Sequence, residues 1–118
     1  MKGELFTVEE GYASVATMTH PCVKRTLAAV ADQGVLPGGM LYARDADSKV
    51  IPYDRAGAAP ANALKGVLDK QIDTASDDAA ICIVHGTVNG EMLCYGAAGG
   101  DVTAADIAAL EAISIWPE

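Results

Sequence analysis

Apolar residues fall in short runs separated by turn-forming residues, and this pattern predicts short strands. The sharpest run is Ala79-Ala80-Ile81-Cys82-Ile83-Val84-His85-Gly86-Thr87-Val88. Its β-branched residues suit a pleated, packed surface. Asn89-Gly90 follows, a strong hairpin signal, and Glu91-Met92-Leu93-Cys94-Tyr95 reads as the returning strand. A two-residue loop there pairs Val88 with Glu91. That register sets Cys94 opposite His85 and Met92 opposite Thr87.

A second hairpin is predicted from Met40–Ala43 and Lys49–Pro52. They flank the polar tip Asp45-Ala46-Asp47-Ser48, whose residue types bond their own backbone. Pro52 has no N–H to give, so its strand ends there or lies at an edge. Strands are also expected over residues 24–30 and 63–68, with a small-residue loop at 54–63 and a polar stretch over 69–78 that holds turn material at Asp73-Thr74 and Ser76-Asp77-Asp78. Thr103 suits a helix N-cap, with Asp106 as its capping partner. A helix from Ala104 to about Glu111 would turn Ile107 and Leu110 to the core. Ala112-Ile113-Ser114-Ile115-Trp116 then alternates as a closing strand. Residues 1–20 have no sustained period and are expected to form a flexible N-terminal arm before a single domain over 21–118. Within the arm, Leu5, Phe6, Thr7 and Val8 have the β-propensity to pair with a partner's sheet edge. The fold class is mainly β with one short C-terminal helix.

At 118 residues the chain has room for one modest core. The net charge of -8 changes the list of partners. Residues 1–60 carry 6 basic and 7 acidic side chains, whereas residues 61–118 carry 2 and 9. Such acidity repels phosphate backbones and anionic lipid, which argues against nucleic-acid and membrane-surface partners. No apolar run reaches the length of a membrane-spanning helix, and the first residues have no leader-like apolar stretch. Three widely spaced cysteines, Cys22, Cys82 and Cys94, do not make a disulfide framework and fit a reducing compartment during synthesis.

Candidate chemistry is sparse. His85 and Cys94 could form a reactive dyad, but their mid-strand positions predict packing. His20-Pro21-Cys22 adds candidate ligands, yet the spacing matches none of the compact patterns that hold zinc. Asp45 with Asp47, and Asp77 with Asp78, lack the frame of a calcium loop and read as turns. Gly96-Ala97-Ala98-Gly99-Gly100 lacks the Lys of a phosphate loop, and Asp101 follows it. No catalytic residue, metal site or cofactor is expected. That shifts weight from an enzyme towards a binding or structural protein.

Four segments in order, VLPGGMLYARDADSKVIPYD, RAGAAPANALKGVL, AAICIVHGTVNGEMLCYG and AALEAISIW, give the chain a family likeness over residues 23–116. It resembles the lambda protein D-like head decoration proteins of tailed phages. These share a proline-led strand, a polar tip, a Lys-Val strand, a small-residue loop, a hairpin and a helix ending in Ala-Ile-Ser-Ile. The arm and the Cys and His positions do not follow that pattern. The resemblance implies a β-clip (β-tulip) domain and no catalysis. It implies a homotrimer on the outer surface of the expanded virion head, synthesised in the bacterial host cytoplasm. The partner would be the major capsid protein, met by an arm that adds a strand through Leu5, Phe6, Thr7 and Val8. Trimer contacts are expected at the Pro37, Gly38, Gly39, Met40, Leu41 turn and at Trp116. A small β-barrel module for a ligand or peptide, with no phage role, is the alternative.

Overall fold

The computed structural model describes residues 14–17 and 20–118. These form a mainly β domain with one short helix near the C-terminus. In chain order the strands are β1 (Val23–Ala28), β2 (Val35–Leu36), β3 (Leu41–Arg44), β4 (Val50–Pro52), β5 (Gly66–Leu68), β6 (Ile72–Asp73), β7 (Ala79–Val88) and β8 (Ile115–Pro117). The helix α1 (Ala104–Ala112) precedes β8. The main sheet runs β1-β7-β5-β3-β4, all neighbours antiparallel, and β8 joins β7 in parallel. A separate two-stranded sheet pairs β2 with β6.

The apolar runs of β3 and β5 are continuous because the centre of the sheet is buried on both faces. Neighbouring residues point to opposite sides of a strand, and here both sides meet a core. Met40, Tyr42, Leu68, Ala80 and Cys82 join one cluster with Leu36 and Ile72 of the small sheet. Leu41, Val67, Ile83 and Val88 join the other with Val15, Leu110 and Ile115. Burying each large apolar side chain contributes on the order of 1.5–3 kcal/mol, so both clusters carry stability.

The 40–52 hairpin forms as the pattern predicts, pairing Tyr42 with Pro52 and Arg44 with Val50. Its strand β4 ends at Pro52 on the sheet edge. At the tip, Asp45 Oδ1 accepts from the Asp47 and Lys49 amides, each at 2.9 Å. Thr103 caps α1, and the reciprocal Asp106 bond completes the capping box. Residues 69–78, expected as a polar stretch with turns, also contain β6 and the buried Thr74, whose hydroxyl donates to the Gly34 carbonyl at 2.7 Å.

The second predicted hairpin does not form. Asn89 has φ -75° and ψ 108° rather than the left-handed backbone of a tight hairpin turn, and its side chain caps a 3-10 turn, Gly90–Met92. The chain then leaves β7 and crosses to the start of β3. There the Cys94 amide donates to the Gly39 carbonyl at 3.0 Å and Leu41 donates to the Cys94 carbonyl at 3.1 Å. Cys94 therefore bridges Met40, and His85 faces Val23 of β1. The C-terminal half of β7 is taken instead by β8 and by Ala16, which bridges Val88. Two flanking partners outcompete one local turn.

Gly39 sits at this crossing with φ +90°, and a Cβ there would collide with the Met92 carbonyl oxygen. Gly39→Ala should cost about 3 kcal/mol or more, combining strain with a steric clash. Thr103→Ala, which removes only a cap, should cost about 1 kcal/mol. Urea unfolding of both variants checks the order; equal losses would mean that the crossing relaxes freely.

Candidate interaction surface at the arm root

The segment before β1 is built into the domain. Val15 is fully buried, and the Thr17 amide donates to the Thr87 carbonyl at 3.1 Å. The Asn89 amide donates to the Val15 carbonyl at 2.8 Å. The residues that anchor the root are 14–17. Leu5, Phe6, Thr7 and Val8 lie outside the described residues.

Asp69, which the sequence marks only as the start of a polar stretch, holds this root in place. It follows β5 directly and is wholly buried. Its Oδ1 accepts from the Ser14 hydroxyl at 2.9 Å and from the Val15 and Ala16 amides at 3.0 and 3.2 Å. Its Oδ2 makes no aligned hydrogen bond, but the Lys24 ammonium of β1 stands 3.1 Å away as an ion pair. Burial pushes this carboxyl up. Lys24, the Ser14 hydroxyl and the Ala16 amide outweigh that and hold it below the usual carboxylate range. Lys24 is 37% exposed, so solvent screens the ion pair.

Beside the root lies an aromatic cluster. His20, which ends the root, and His85 of β7 both meet the Trp116 ring edge-on, with centroids 5.0 and 5.5 Å away. The His20 amide donates to the Thr87 hydroxyl at 3.0 Å. The Cys22 thiol donates to the Thr87 carbonyl at 3.3 Å. Of the sequence candidates for an interface, Trp116 and Pro37 and Gly38 keep partial exposure, whereas Gly39, Met40 and Leu41 are buried within the protomer. Met40 and Leu41 serve the two cores. The structure leaves the Pro37–Leu41 turn far less side-chain surface than the sequence suggested.

The main-sheet edge strand β1 is the most open element. All its residues except Leu27 are exposed, and Val23 is 50% exposed. Ile81 of β7 is exposed beside Thr26. At the far end, Arg55 grips Asp106 in a bidentate pair at 3.1 and 2.6 Å. Its guanidinium carbon lies 3.7 Å from the Tyr95 ring centroid. Tyr95 donates to Asp54 at 3.2 Å. This network fastens the 54–63 loop to the helix N-terminus. Nothing in residue spacing signalled it, because Arg55 and Asp106 are far apart in the chain.

The reactive-dyad idea finds no geometric basis. Cys94 lies at the β3 crossing and His85 beside Trp116. Burial raises the Cys94 thiol, and burial pushes the Cys82 thiol up to about 12. Both are protonated near neutrality. Among the described residues no helix is long and apolar enough to cross a membrane. No family model and no curated protein matches the chain.

Replacing Asp69 with Ala would remove the carboxylate that accepts from the Val15 and Ala16 amides and the Ser14 hydroxyl and pairs with Lys24, and should cost about 2–4 kcal/mol. A carboxylate held below its ordinary range stabilises the fold above that range, and this contribution is lost as pH falls through the folded value. Stability should therefore drop on acidification below about pH 4 in the natural chain and drop less in Asp69→Asn. Urea midpoints across the acid range test this; parallel profiles would remove Asp69 as the source. Cys82 should react with a thiol reagent only as fast as the domain opens, so labelling should accelerate with denaturant.

Proposed function

We propose that this chain is a capsid decoration protein, a trimeric cement for the outside of an expanded phage head. The collinear order of its segments carries this reading, above all the Pro37-led hairpin and the closing Ala112-Ile113-Ser114-Ile115. Two features are compatible with such a role. The described polar side chains mostly hold loops and termini, as Asp69, Asp106 and Thr74 do, rather than converging on a cleft. The arm root is seated on β7 next to an exposed sheet edge. A cement protein needs a rigid small scaffold and an arm delivered from a fixed point. Strand addition by such an arm gains main-chain hydrogen bonds without dedicated side-chain chemistry. Three linked arms would compensate weak single contacts through effective concentration. The small β-clip domain and the trimer belong to the same proposal, with Trp116, Pro37 and Gly38 as the exposed candidates at the subunit contact.

Co-sedimentation with empty shells of the cognate major capsid protein tests it. Saturable binding near one copy per capsid subunit is expected with expanded shells, and none with unexpanded ones. Binding to neither would overturn the proposal in favour of a β-module for another ligand. Deleting residues 1–12 should abolish shell binding while the urea midpoint stays unchanged, because Ser14 and Val15 keep their Asp69 bonds. Undiminished binding would sink the strand-addition role of Leu5, Phe6, Thr7 and Val8.

A further inference from the structure

The chain contains two histidines, 65 positions apart, and the fold brings them together. Their Nε2 atoms lie 3.3 Å apart, at the surface, with ring centroids 5.3 Å apart and planes inclined by 53°. A direct N–H···N bond would ordinarily be shorter, at about 3 Å. Two imidazole nitrogens bound to one tetrahedral ion at about 2.0–2.1 Å stand about 3.3–3.4 Å from each other. The observed separation, long for a hydrogen bond, matches that of a ligand pair.

We propose that His20 and His85 form a two-histidine clip for a divalent transition-metal ion of the nickel–zinc class. Imidazole suits these ions. Both rings stand in T-shaped contact with Trp116, and His20 is held further by its amide bond to Thr87. The nearby Cys22 thiol is turned to the Thr87 carbonyl, and no group of three or more His, Cys, Asp or Glu forms among the described residues. The clip thus supplies two ligands and leaves the other positions to water or to a group from another molecule. A bound ion would join residue 20 to β7 directly, pinning the link between the root at residues 14–17 and β1. This inference does not rest on the capsid reading and can fail or hold without it.

Trp116 is the one tryptophan in the chain and touches both rings, so it reports on the site. Untagged protein is titrated with Ni2+ while Trp116 fluorescence is followed, and equilibrium dialysis counts bound ions. Saturable quenching with one ion per chain is expected, relieved by competing Zn2+. His20→Gln and His85→Gln should each weaken binding by about tenfold or more, with unchanged far-ultraviolet circular dichroism. Unsaturable quenching, no ion retained on dialysis, or an affinity in both variants unchanged from that of the natural chain would overturn the clip. If His85→Gln unfolds the domain, the exposed His20→Gln variant decides alone.

Discussion

Strands apolar at successive positions cannot leave either face to water, and β3, β5 and β7 are of this kind. Tyr42 and Leu41, Leu68 and Val67, Cys82 and Ile83 each divide between the two clusters. Each face then needs a cover, in a chain too short for a second sheet of any size. The β2–β6 pair closes one side. The α1–β8 unit, together with Val15 and Leu93, closes the other. The course of the chain ends follows from this: the root before β1 and the strand after α1 both come to the C-terminal half of β7, where Val88 pairs with Ala16 and with Pro117.

Such an arrangement brings polar backbone into the interior, and a few side chains satisfy it. Asp69 accepts two root amides, Thr74 links the Gln33 amide to the Gly34 carbonyl, and Asp106 serves both the helix cap and Arg55. These are the buried polar residues whose loss would unfasten whole segments, because an amide stripped of its acceptor in the interior costs more than one bond is worth. Tyr42 is the exception. Its hydroxyl is buried without a hydrogen bond beside the Cys82 thiol, and its ring fills the space that Gly66 leaves open.

The same economy shapes the surface. Two features open to other molecules are the β1 edge and the ring cluster of His20, His85 and Trp116. They adjoin one another at the point where the root enters the domain. An arm delivered there and a metal clip at its base are separate hypotheses, but both draw on the pairing of residues 14–17 with β7.

The sequence by itself determined the elements whose cause is local. The Asp45–Ser48 tip, the Pro52 strand end and the Thr103–Asp106 capping box are decided by residues a few positions apart, as is the long run of β7. Tertiary structure decided the rest. Asn89-Gly90 had hairpin chemistry, but β7 already had better neighbours in Ala16 and β8, so the following residues went to Gly39 and Leu41. Asp69 read only as the start of a polar stretch because nothing nearby reveals that Ser14–Ala16 will come to it, and the Arg55–Asp106 pair was hidden in the same way. Met40 and Leu41 were interface candidates only as part of the Pro37–Leu41 turn, whereas the fold buries them in the two cores. Local preference is set by a few torsions and short-range bonds; partner choice is set by what else competes for the same buried edge.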